Sequence, residues 1–146
     1  PDDYVLATGE THSVREFAKK TFEKLGIFVE FSGSGVDEKG IVKYIDKNKL
    51  VDMLKLAKID NLEFIVEKAR RLKGEQLIEV DPKYFRPTEV DILIGDPSKA
   101  REKLGWVNRY SFDDLVTDMV LGDLESTNRE FVLQSNGFEV YNSCES

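Results

Sequence analysis

The stretch Tyr84-Phe85-Arg86-Pro87-Thr88-Glu89 gathers the residue types best suited to gripping a charged, hydroxylated ligand. Arg86 stands between a bulky aromatic and a proline, and a residue before proline is held to an extended path. Its planar fork of donors suits two-point recognition of phosphate oxygens. Glu89, three residues on, can return to the same side and accept from a pair of sugar hydroxyls. An arginine for a diphosphate and a carboxylate for a ribose form a recognition set for a nucleotide sugar. Spacing alone leaves a second reading open, in which Arg86 and Glu89 pair with each other and brace a loop.

Catalytic equipment is not legible anywhere in the chain. No G-x-G-x-x-G follows a strand, so no dinucleotide cradle is expected and no cofactor-binding residue is assigned. No tyrosine-x-x-x-lysine pair shares a helix face, and no serine sits in a nucleophile elbow. No catalytic residue is therefore assigned. A single histidine, His12, and a single cysteine, Cys144, exclude an internal disulfide and leave no metal site. His12 reads as a solvent-facing turn residue, and Trp106 as a core ring under the last two helices.

The formal net charge of -7 disfavours nucleic acid, since phosphate binding wants a basic face. No apolar run approaches the roughly 20 residues that span a bilayer, so no membrane partner is expected. A lone cysteine suits a reducing cytoplasm. With 146 residues, 40% hydrophobic and 34% charged, the chain matches one globular domain. It opens on Pro1 rather than Met, which reads as a processed or excised piece.

The elements that must carry these residues follow from periodicity and capping. Tyr4 to Thr8 reads as a buried strand closed by Gly9. Ser13 opens a helix, with Glu16 completing a capping box and Val14, Phe17, Ala18, Phe22 and Leu25 facing the core. Gly26 ends it, and Ile27 to Phe31 is a strand. Residues 36–47 read as a charged loop. From Asn48 to Lys73 two amphipathic helices, broken and capped at Asp60-Asn61, form an excursion laid on the surface or a partner-binding pair. Leu77 to Val80 is extended, Asp81 to Pro87 is turn, and Ile92 to Gly95 is a short strand. Asp96-Pro97 starts a helix that Gly105 stops. Ser111 with Asp114 starts a last helix bearing Leu115, Met119 and Leu124, ahead of a polar tail from about Asn128. Strands alternating with capped helices place the chain in the α/β or α+β class.

The order of motifs ATGETHSVREF, GVDEKG, VDPKYFRPTEVD, GDPSKAREKLGW and SFDDLVTDMV with DLE resembles the C-terminal part of GDP-mannose 4,6-dehydratases. These belong to the extended short-chain dehydrogenases, and GDPSKAREKLGW alone marks only that wider group. The closing SNGFEV and ES resemble the C-terminus of bacterial members. The resemblance implies an α+β-like nucleotide-sugar-binding lobe over residues 1–146, beside a Rossmann half that binds NADP and lies outside this chain. It implies GDP-mannose as substrate, a homo-oligomer at full length and a cytoplasmic enzyme. That enzyme oxidises C4 of the mannose ring by hydride transfer, eliminates water across C5 and C6 and returns the hydride to C6. The hydroxyl residue, glutamate, tyrosine and lysine of that chemistry lie in the other half, so this chain alone is expected to be inactive. The resemblance assigns Arg86 to the diphosphate and Glu89 to the ribose.

Two features depart from the pattern. The segment of about 43–76 is longer and more helical than the usual loop, which marks an insertion. Asn108 and Arg109 stand where proline is common. A related GDP-sugar reductase or epimerase would share this lobe, and a stand-alone binding module would share its Arg86 motif.

Overall fold

Ser13 takes the backbone N–H of Glu16 at 3.0 Å, and helix α1 runs from Val14 to Lys24 behind that cap. The computed structural model describes residues 2–86 and 93–140. The Glu16 carboxylate does not close the expected capping box. It turns instead to His12 Nδ1, 3.1 Å away. Of the expected stripe, Phe17, Ala18, Phe22 and Leu25 are half-buried, whereas Val14 stands in solvent. Gly26 ends the helix at φ +69°, where a Cβ would lie 2.4 Å from the backbone oxygen of Asp46. Only glycine meets both conditions.

Strand β1 (Ile27–Ser32) leads through a single 3-10 turn, Gly35–Asp37, into strand β2 (Lys39–Ile45). The two are antiparallel, with Val29 opposite Val42. The charged loop expected over 36–47 is thus mostly strand. Its inward face offers only Gly40 and Val42, while Lys39, Ile41 and Lys43 point out, so the apolar alternation is nearly invisible in the sequence.

Asp46 caps helix α2 (Lys47–Leu56) by accepting the N–H groups of Asn48 and Lys49 at 3.0 and 3.2 Å. Helix α3 (Leu62–Arg70) follows the break at Asn61, which is left-handed at φ +46° and makes no side-chain cap bond, contrary to expectation. The chain returns as strand β3 (Gln76–Glu79), antiparallel to β2, and the sheet order is β1-β2-β3. The excursion is more than a surface layer. Leu50, Leu54, Ala57, Ile59, Val66 and Ala69 build a buried cluster of their own, separate from the sheet cluster of Ile27, Val29 and Val42.

Asp96 Oδ1 accepts the Ser98 N–H at 2.9 Å at the head of helix α4 (Ser98–Leu104), and Gly105 stops it at φ +65°. A reciprocal capping box does form at helix α5 (Phe112–Ser135). There the Ser111 N–H donates to Asp114 Oδ2 at 2.8 Å, and the Asp114 N–H to Ser111 Oγ at 3.2 Å. The buried positions of α5 are Val116 and Val120, not the expected Leu115 and Met119, which are exposed. The helix also runs on through the stretch expected as a polar tail. Leu121 and Leu124 pack on the α2–α3 cluster. Lys20 of α1 reaches Asp113 at 3.4 Å and Lys24 ion-pairs with the same carboxylate, which joins α1 to the head of α5.

Tyr4 to Thr8 forms no strand, and neither does Leu93 to Gly95; Ile92 lies outside the described residues. The two segments run close, since a Cβ on Gly95 would stand 2.6 Å from that of Ala7. Arg101 donates to the Thr8 carbonyl at 3.0 Å and Lys99 to that of Asp3 at 2.9 Å. Val5, Leu6, Leu93 and Ile94 are exposed by 52%, 63%, 77% and 55%. Helices with a small antiparallel sheet make this an α+β fold, the second of the two expected classes.

Candidate functional site

Arg86 ends a turn that its own residues close. Asp81 Oδ1 accepts the Lys83 N–H at 2.9 Å, and the Asp81 carbonyl accepts the Tyr84 N–H at 3.0 Å. Lys83 lies 5.1 Å from the centre of the Tyr84 ring. Tyr84 and Arg86 are exposed, and Phe85, at 39% exposed, is more than half covered. Glu89, expected to partner Arg86 on the ligand, lies outside the described residues, as do Pro87 and Thr88.

The Gly35 turn lies against Phe85. A Cβ on Gly35 would stand 3.7 Å from the Phe85 ring, and Gly35 itself is left-handed at φ +59°. The turn is held by the Asp37 N–H to the Ser34 carbonyl at 3.2 Å and by the Glu38 N–H to the Gly35 carbonyl at 3.4 Å. The Glu38 carboxylate in turn pairs with Arg15 Nε on α1. Arg15 holds the Glu38 carboxyl below the usual carboxylate range by hydrogen bonding, and Glu38 raises Arg15. A depressed carboxyl contributes stability above its unfolded value and loses it as pH falls through its folded one, so this link weakens in acid. Three motifs far apart in sequence thus meet in the order Arg15, Glu38, Gly35, Phe85, Arg86.

His12 is exposed ahead of α1, as a solvent-facing turn residue should be, but it is not without partners. Its ring stacks on Phe112 with centroids 3.8 Å apart and planes 6° from parallel. Nδ1 faces Glu16 at 3.1 Å and Nε2 faces Glu10 at 3.5 Å. The imidazole is a joint between the heads of α1 and α5. Both heads were legible from their caps, but nothing local says that the two caps meet. Trp106 is half-buried.

Among the described residues, four of the five α-helix heads carry side-chain caps, and that of α3 carries none. Those of α1, α2, α4 and α5 are taken by Ser13, Asp46, Asp96 and Ser111 with Asp114. The three carboxylates repel an anion where a cradle would attract one. Among the described residues no group of His, Cys, Asp or Glu is arranged to hold a metal ion. A hollow of about 530 Å³ on the outer sheet face and an apolar one of about 390 Å³ between α3 and α5 both exclude Arg86.

A family model described as GDP-mannose 4,6 dehydratase matches residues 1–119. A GDP-mannose 4,6-dehydratase of Yersinia enterocolitica is 39% identical over 146 residues, covering 100% of this chain and 34% of its own length. One from Vibrio cholerae is 40% identical, with coverage of 99% and 34%. A human GDP-mannose 4,6 dehydratase is 38% identical over 125 residues, covering 86% of this chain and 26% of its own length. The chain therefore spans about a third or less of the length of these relatives.

Proposed function

Because the chain belongs to the GDP-mannose 4,6-dehydratase family, we propose that it is the substrate-binding part of such an enzyme, gripping the diphosphate of GDP-mannose through Arg86 and its ribose through Glu89. The observation that carries the reading is the Arg86 turn itself. It lies within the matched residues, closes on its own hydrogen bonds and presents an exposed guanidinium. A planar fork takes two oxygens of one phosphate, and GDP offers it a β-phosphate that GMP lacks. In the complete protein, GDP should bind more tightly than GMP by calorimetry, and Arg86→Ala should erase that difference. An unchanged GDP-to-GMP ratio in the variant would remove Arg86 from the diphosphate.

The same reading makes the complete protein a cytoplasmic homo-oligomer that converts GDP-mannose to GDP-4-keto-6-deoxymannose with NADP. No residue of this chain is assigned to that cofactor, which on this reading the rest of the complete protein would hold. No helix among the described residues is long and apolar enough to cross a membrane. Residues 43–76 are read as a helical insertion within the binding domain.

Two expectations follow for this chain on its own. Purified and mixed with GDP-mannose and NADP, it should yield no 4-keto product, since neither a cofactor cradle nor a tyrosine-x-x-x-lysine pair is present. Turnover above buffer that copurifies with the polypeptide would contradict this. The exposed Val5, Leu6, Leu93 and Ile94 should also make it self-associate and bind a hydrophobic dye. A monomer with a sharp, reversible, dye-silent melt would show that this apolar face needs no cover.

A further inference from the structure

The bonds that close the turn between Asp81 and Tyr84 are local, and local bonds do not tie a turn to the body of the fold. One such tie comes from Phe85, the neighbour of Arg86, whose ring rests on the Gly35 turn. The Gly35 turn is secured by Glu38 at both its backbone and its carboxylate, the latter on Arg15. Arg15 stands on α1, which is itself joined to α5 through Lys20, Lys24 and Asp113 and through the His12–Phe112 stack. The joined helices α1 and α5 therefore reach, through the Gly35 turn, the residue beside Arg86.

We propose that Arg15 and Glu38 are positioning residues for Arg86, acting through the Gly35 turn and the Phe85 ring, a proposal that rests on reading Arg86 as the diphosphate contact. Neither residue need touch the ligand. Their effect is to hold the guanidinium where the phosphates arrive, so that less freedom is lost on binding. Gly35 serves the same end, because a side chain there would need a left-handed backbone and would enter the space beside Phe85.

The test is a set of double-mutant cycles on the complete protein, read as KM and kcat for GDP-mannose. Glu38→Gln, Arg15→Gln and Phe85→Leu should each raise KM roughly threefold to tenfold and leave kcat in place. The charge-swapped pair Arg15→Glu with Glu38→Arg should recover most of the loss. In an Arg86→Ala background, each substitution should add nothing further, because the group being positioned is gone. A KM effect that persists in full in that background would overturn the proposal, as would single variants that lower only the melting temperature. Should Glu38→Gln fail to fold, Phe85→Leu decides alone by the same cycle. If Arg86→Ala leaves KM unchanged, the underlying reading fails. If it raises KM while the other variants are silent, only the positioning role fails.

Discussion

Arg86→Ala in the complete protein is expected to lower kcat/KM for GDP-mannose by roughly tenfold to hundredfold, nearly all of it through KM. A charge-assisted contact to phosphate is worth about 1.5–3 kcal/mol, and about 1.4 kcal/mol is a factor of ten. The diphosphate is remote from C4 to C6 of the sugar, so its grip is the same before and during the reaction. Loss of such uniform binding raises KM and spares kcat. Arg86→Lys should recover only part, because an ammonium cannot reproduce the planar fork. Glu89→Gln should be milder, since the amide keeps one acceptor for the ribose. Steady-state kinetics on the three variants, with circular dichroism as a folding control, decides the matter. An unchanged KM, or an effect on melting alone, would make Arg86 and Glu89 a loop brace and end the binding assignment.

A second large effect is expected in stability rather than in binding. Leu54 is 2% exposed at the centre of the α2–α3 cluster, whereas Leu56, two residues on in the same helix, is 59% exposed. Leu54→Ala removes buried methyl groups and leaves space that α2, α3 and α5 cannot wholly fill. The cost should be about 2–5 kcal/mol. Leu56→Ala should stay within about 0.5 kcal/mol of the parent. Hydrogen exchange of the α2 and α3 amides in the complete protein measures both. Similar loss of protection in the two variants would contradict the burial pattern, as would no loss in either.

Elements whose signals are local were legible in the sequence. Ser13, Gly26, Asp96, Gly105 and Ser111 mark helix ends through bonds or backbone angles that a few neighbouring residues determine. The Arg86 turn was legible for the same reason, although Glu89 falls outside the described residues. What escaped is what distance decides. β2 hid because one of its two inward residues is Gly40, which has no side chain to show alternation. The inward face of α5 turned by one residue, to Val116 and Val120, because α1 rather than helical spacing sets which side is covered. Tyr4 to Thr8 has strand composition but no strand beside it among the described residues, and composition alone makes no ladder. Glu16 could have capped its own helix, and His12 took its carboxylate instead.

The path between β2 and β3 carries one more consequence. The chain leaves β2 at Ile45 and comes back to the same strand. There the Gly74 N–H donates to the Val42 carbonyl at 2.9 Å, and the Val42 N–H to the Glu75 carbonyl at 2.9 Å. The two ends of the excursion are thus stapled side by side on the sheet, whatever lies between them. Closing a loop whose ends are already neighbours costs entropy that grows only with the logarithm of its length, about 0.6 kcal/mol for each doubling. Lengthening or trimming this stretch would leave the strand register alone and change only what α2 and α3 bury against α5. The connection is a seam at which chain length could change while the turn a few residues beyond β3 keeps its place.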